Sequence, residues 1–406
     1  MGLFRSEDTQ HPEPTVTLQL DPNCKSPFHP GSSAFGQVFF DSNIQREVDN
    51  IEVNIEGTTT TKYVLVVGNG EYRRVKIHYY DEATLRTINE VVVHGLTAEP
   101  GRRYSWNFCL TFPDGRAALL HPNPAKSPYK STSGHKEFYA SSPYQLPASF
   151  MHMKSHEHMA QVQYTLRVQV SFADQNKPCS PPPKILTYVP SEEPYEQKLV
   201  ENAFHINSYS SSRLAGSSAK SGLAKFKEKL SSSSPTVKLS LKSTLPTSVV
   251  RGAAFPIHAR LEVHPLSDPS VLNIPEVRIK IASIELAPLV IYRTLKDPKA
   301  IDMPMDNVQA PPEQELVEDG KAVVLNAVPQ EILVAQQRED KSDVLVYSAD
   351  FEARLPGDVT PSFATTNIIL WWKLRVKLVA DVCGKEFDDV AETKIVVITN
   401  LKSGKS

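Results

Sequence analysis

The residues most able to carry chemistry fall in four small groups, and the first is His152, His156 and His158 with Glu157 between them. Histidines at i and i+4 can share a metal on a helix face, but a zinc site needs a third or fourth ligand at defined spacing, and only Glu157 offers itself. The stretch follows Ser149-Phe150 and precedes an alternating run, so it reads as a loop, and no metal site is expected. Arg73, Arg74 and Lys76, then Arg102 and Arg103, form two basic clusters beside alternating segments. Arginine pairs suit carboxylate or phosphate groups bidentately, and the same charges also serve to keep a strand edge from aggregating. Lys220, Lys225, Lys227 and Lys229 interleave with Leu223, Phe226 and Leu230 at helical spacing. That pattern fits a short basic amphipathic helix for anionic lipid or an acidic partner, and equally a solvated charge run. Flanking serines, Ser210 to Ser212 and Ser231 to Ser234, offer phosphorylation as a charge switch. Met1-Gly2-Leu3-Phe4-Arg5-Ser6 matches the N-myristoylation pattern at Gly2, although Glu7 and Asp8 repel an anionic bilayer. No glycine-rich phosphate loop, GxSxG elbow or HExxH motif occurs, so the expectation is a chain with no catalytic residues and no cofactor.

The elements that must position these groups alternate with period two. Val162, Tyr164, Leu166, Val168 and Val170 share one face, with Gln161, Gln163, Arg167 and Gln169 opposite. Leu370, Trp372, Leu374, Val376, Leu378, Ala380 and Val382 form another such face, against Lys373, Arg375, Lys377 and Asp381. Trp371 and Val379 break that rule. Tyr104 to Phe112 and Ile257 to Val263 alternate in the same way. Short alternating segments separated by Gly, Pro, Asp and Asn predict antiparallel strands packed as β-sandwiches. Three stretches do not read as sandwich strands: 114–145, 191–234 and 296–343. The middle one is rich in serine and lysine, too polar to offset its chain entropy by burial, and reads as a flexible linker.

The chain also repeats itself. Pro14-Thr15-Val16-Thr17-Leu18 returns as Pro235-Thr236-Val237-Lys238-Leu239, Gly31 to Phe35 returns as Gly252 to Phe255, and Ser149-Phe150 returns as Ser362-Phe363. Leu166-Arg167-Val168 has its echo in Leu374-Arg375-Val376. Two homologous lobes in tandem follow, with boundaries at 1–190, a linker 191–234, and 235–400. A formal charge of -2 and a pI near 6.6 give no global attraction to nucleic acid, which is not expected as a partner. Cys24, Cys109, Cys179 and Cys383 lie far apart, no glycosylation sequon occurs, and no apolar leader opens the chain. The expected setting is reducing and intracellular, with free thiols, which argues against an extracellular adhesion sandwich. No run approaches the roughly 20 apolar residues of a spanning helix, so membrane contact is expected to be peripheral.

The repeated residues carry a family resemblance. Gly101 to Pro113, Leu146-Pro147-Ala148-Ser149-Phe150 and the strand at Tyr164 resemble the first lobe of arrestin-like proteins. Phe351 to Pro356, Thr360-Pro361-Ser362-Phe363 and the run to Cys383-Gly384-Lys385-Glu386-Phe387 resemble the second. The chain is most similar to fungal alpha-arrestins, the arrestin-related trafficking adaptors. The resemblance implies an all-β fold: a tandem pair of immunoglobulin-like antiparallel β-sandwich lobes with flexible insertions. It further implies a non-catalytic cytoplasmic adaptor, transiently at the plasma membrane or endosomes, that binds cytosolic tails of membrane transporters or receptors. Such proteins bring in a ubiquitin ligase through PPxY motifs, whose polyproline turn presents Tyr to an aromatic groove. Here Pro181-Pro182-Pro183 and Pro311-Pro312 lack the Tyr, and no PPxY occurs. Recruitment through a partner arrestin, or a role independent of ubiquitin like that of the arrestin-fold retromer subunit or of a signalling scaffold, is the alternative.

Overall fold

The structure is a computed structural model that describes residues 14–68, 74–114, 146–173, 175–190, 198–215, 234–274, 276–301, 313–335, 337–338 and 343–399. The described chain is all-β, with antiparallel pairing predominant and no α-helix; the only helical pieces among the described residues are 3-10 turns at Ser212–Ala215 and Pro269–Val271. It divides into two compact units, Met1–Ser191 with Ile291–Val317 and Phe363–Ile369, and Glu192–Val290 with Glu318–Ser362 and Leu370–Ser406.

In the first unit the strands are β1 (Thr15–Leu20), β2 (Ser33–Asp41), β3 (Arg46–Gly68), β4 (Arg74–Ala98), β5 (Arg103–Thr111), β6 (Phe150–Ser155), β7 (His158–Phe172), β8 (Gln175–Cys179) and β9 (Lys184–Leu186). β1, β2 and β5 form a three-stranded antiparallel sheet. β3 lies between β4 and β7, antiparallel to both. The other edge of β7 is shared in succession by β6, β9 and β8. Period-two alternation sends Ala34, Val38 and Phe40 of β2 and Phe108 and Leu110 of β5 inward, where they meet the buried face of β3 and β7. Rings close the gap: Phe40 lies 6.2 Å from Phe172 and Phe112 lies 5.9 Å from Tyr164, centroid to centroid. Such pairs contribute about 0.5–1.5 kcal/mol beyond their area burial.

The strands that follow are β10 (Leu199–Ser210), β11 (Thr236–Pro246), β12 (Ser248–Val250), β13 (Ala254–Pro265), β14 (Glu276–Ile301), β15 (Glu313–Asp319), β16 (Val323–Leu325), β17 (Ala327–Val328), β18 (Glu331–Ala335), β19 (Gln337–Arg338), β20 (Leu345–Arg354), β21 (Phe363–Ala364), β22 (Ile368–Val382) and β23 (Lys385–Ile398). In the second unit β10, β11, β13, β20 and β17 lie side by side, antiparallel, with β19 also on β20. β22 and β23 form a hairpin whose turn places Cys383 at φ 55° and Gly384 at φ 80°. The alternating faces expected for β13 and β22 are buried, from Ile257 to Val263 and from Leu370 to Val382. Val379, the exception in the pattern, is buried on the opposite face.

The sequence repeat is matched bond for bond within the two units. Gly31 and Gly252 both take a left-handed turn, φ 75° and 74°, a region that costs other residues energy. The Gly31 N–H donates to the Phe112 carbonyl at 3.0 Å, and the Gly252 N–H to the Leu355 carbonyl at 3.0 Å. Ser149 donates its N–H to the Tyr188 carbonyl at 2.9 Å and accepts the Tyr188 N–H on Oγ at 2.9 Å. Ser362 does the same with Val397, at 2.8 and 3.0 Å. Phe28 makes a parallel bridge to Tyr188, and β12 pairs in parallel with β23 at Val249 and Val397.

Three sequence readings are corrected. Of the stretch 191–234, residues 199–210 are strand β10, and of 296–343, five strands, β15 to β19, are formed. Both escape a reading by alternation because they are edge or one-sided strands: exposed side chains need no pattern, and backbone pairing alone holds them. The histidine stretch is likewise the hairpin of β6 and β7, with His152 in one strand and His158 in the other.

Candidate functional site

The chain places three successive prolines, Pro181-Pro182-Pro183, against an edge of β7. β8 pairs with β7 at Phe172 and Val170, and β9 resumes the pairing at Leu166. Between them the ladder is interrupted, because proline has no N–H to donate. The chain from Ser180 to Pro183 therefore stands away from Arg167, Val168 and Gln169, and a groove of about 690 Å³ opens there. Its remaining wall is Asn54 and Glu56 of β3 and Thr87 of β4, neighbours of Arg167 across the sheet in the order β4, β3, β7.

The groove is polar and rich in both donors and acceptors. Arg167 Nη1 lies 3.4 Å from the Glu56 carboxylate, and its Nε donates to Thr165 Oγ1 at 3.3 Å. With half of its side chain exposed, Arg167 can exchange Glu56 for an incoming carboxylate or phosphate at little cost, since exposed pairs contribute only about 0–1 kcal/mol. Asn54 Oδ1 is buried without a hydrogen-bond partner among the described residues. Gln169 and Thr87 add side-chain amide and hydroxyl groups. The side chains and the unpaired edge suit a chain segment held extended, which offers N–H and C=O groups at matching spacing. The sequence signal for this site is the proline run, which by itself reads only as an incomplete ligase motif.

The basic clusters do not form one patch. Arg74 and Lys76 lie at the start of β4 and Arg102 and Arg103 just beyond its end; with 25 residues at ~3.3 Å each, about 80 Å of strand separates them. Arg73 and the side chain of Arg74 lie outside the described structure. Lys76 is paired with Glu157, whose carboxyl it holds below the usual range by that hydrogen bond. Arg102 bonds Glu99 at 3.0 Å and lies over the Tyr104 ring, and Arg103 lies over Phe39. Gly2 and Lys220, Lys225, Lys227 and Lys229 lie outside the described residues. The His158 ring lies against Tyr63, tilted by 55° with centroids 4.7 Å apart. Among the described residues no group of three or more His, Cys, Asp or Glu is arranged to hold a metal ion. None of the four cysteines is in a disulfide, and no helix of the described residues is long and apolar enough to cross a membrane.

Among known proteins, no family model matches the chain, and no curated protein matches it.

Proposed function

We propose that the chain is a non-catalytic, arrestin-like adaptor built from two β-sandwich lobes, which binds the cytosolic tails of membrane transporters or receptors for endocytosis or endosomal sorting. The observation that carries this reading is the duplicated clamp. The serines of the two triplets behind the resemblance, Ala148-Ser149-Phe150 and Pro361-Ser362-Phe363, make the same reciprocal bonds to one residue each of their own unit, Tyr188 and Val397. A chance triplet has no reason to recur with its hydrogen bonds intact. The groove beside Pro181-Pro182-Pro183 is the surface assigned to the tail, with Arg167 taking an acidic or phosphorylated side chain.

Proximity labelling from the tagged full-length chain in its own cells tests this reading. Transporters or receptors among the labelled neighbours, with a ubiquitin ligase or a partner arrestin, are the expected outcome. Recovery of none of these, nor of coat subunits, would sink it. The second reading is a ubiquitin-independent role, as a retromer-like sorting subunit or signalling scaffold, and the lack of any PPxY in these 406 residues favours it. Coat subunits or kinases without a ligase would select that reading.

A further inference from the structure

Most edges of these sheets are guarded. The Cys109 N–H on the edge strand β5 is taken by the Glu90 carboxylate at 2.9 Å, and β20 is covered by β17 and β19. β10 lacks such guards among the described residues. It is 12 residues long, pairs among the described residues with β11 alone, and contains neither proline nor lysine. Among the described residues no side chain bonds its outer edge. It exposes Leu199, Val200 and Phe204, each with more than a third of its surface open. A long edge with exposed apolar side chains and without such guards is a template for another strand.

We propose that the occupant is a second copy of this chain, paired antiparallel through β10 with the twofold axis at Ala203. The pattern of side chains about Ala203 is what selects this occupant. β10 runs in unbroken register with β11 from Leu199 to Ile206, and a bulge follows between Ile206 and Tyr209. Within this register the seven residues Val200 to Ile206 are centred on Ala203. Self-pairing about Ala203 sets Glu201 of each copy, which lies 3.8 Å from Lys242 of its own β11 and keeps more than half of its side chain exposed, opposite His205 of the other, an acid facing a base on both sides of the axis. On the other face Val200 meets Ile206, and Phe204 meets Asn202, whose Nδ2 is buried without a partner among the described residues. The small Ala203 at the axis lets the two copies approach. Exposed apolar surface is buried, an acid faces a base, and the unguarded edge disappears.

The test is sedimentation of the full-length chain over a concentration series. The wild type is expected to be a dimer that dissociates on dilution. Ala203→Lys places two like charges at the axis, and Glu201→Lys sets a cation opposite His205; each is expected to weaken the dimer about tenfold or more, since two symmetry-related contacts are lost. The double change Glu201→Lys with His205→Glu restores the opposition with signs exchanged and is expected to recover dimerisation, a result no general loss of folding reproduces. Circular dichroism confirms that each variant is folded. A wild type that stays monomeric into the tens of micromolar overturns the proposal and points to a strand from another protein. A dimer indifferent to Ala203→Lys overturns it as well.

Discussion

Tyr164 and Trp372 hold corresponding places in the two units: each gives its one polar side-chain hydrogen to the carbonyl two residues before the clamp serine. Tyr164 donates to Pro147 at 2.8 Å and Trp372 to Thr360 at 3.0 Å. Different rings, one phenolic and one indole, have kept a single hydrogen bond because the carbonyl they serve sits beside buried strands. Tyr164→Phe removes only the hydroxyl and strands the Pro147 carbonyl. The expected loss is about 1–3 kcal/mol, the cost of an unsatisfied buried acceptor, measured by urea unfolding. A loss within error would show that the bond is dispensable.

Ser149→Ala and Ser362→Ala take away the side-chain acceptor for the Tyr188 and Val397 amides. Each is expected to cost about 1 kcal/mol and to speed hydrogen exchange at its own amide, leaving the amide of the other unit protected. Faster exchange at both amides in either variant would mean that the clamps are not local.

Glu262 governs an acid-sensitive part of stability. Burial raises its carboxyl, but the Lys242 hydrogen bond and the charges of Lys242, Arg260 and His264 outweigh this and hold it below the usual carboxylate range. A depressed folded value means that the ionised form stabilises the fold above the ordinary carboxylate range, and that this contribution is lost as pH falls through the folded value. Glu262→Gln is therefore expected to be less stable than wild type at neutral pH, with the gap closing in acid. A constant gap across pH would assign the effect to packing.

Thiol labelling should separate the cysteines. Cys109 is exposed, whereas burial raises the Cys383 thiol above its ordinary value, with Asp381 adding to the shift and Arg213 opposing it. Cys109 is expected to react several-fold faster at neutral pH, read by mass spectrometry, since the thiolate is the reacting form.

Arg167→Glu reverses the one cation in the groove. Binding of an acidic tail peptide is expected to weaken about tenfold, and binding of a neutral peptide to change little, by fluorescence anisotropy. Equal weakening of both would point to a distorted groove rather than a lost charge.

The strands were legible wherever one face is buried and the other wet, as in β13 and β22, down to the exception at Val379. They were not legible where burial contradicts residue type. Thr59 and Thr61 are fully buried in β3, yet in the sequence Thr58 to Thr61 reads as a polar run. Their hydroxyls donate to backbone carbonyls, Thr61 to Arg293 at 2.7 Å and Thr59 to Ala83 at 3.4 Å, which removes most of the cost of burying them. Nor was the groove legible, because it depends on where two short strands pair along β7, a register that no local pattern encodes.

The three prolines divide labour in a way that bears on how such a site changes. Its shape comes from hydrogen bonds the backbone is unable to make, while its chemistry comes from Asn54, Thr87, Arg167 and Gln169, side chains on strands that would stand without them. Shape and taste are thus written in separate residues. A lineage carrying this groove can trade one partner for another through the second set alone, leaving the scaffold untouched.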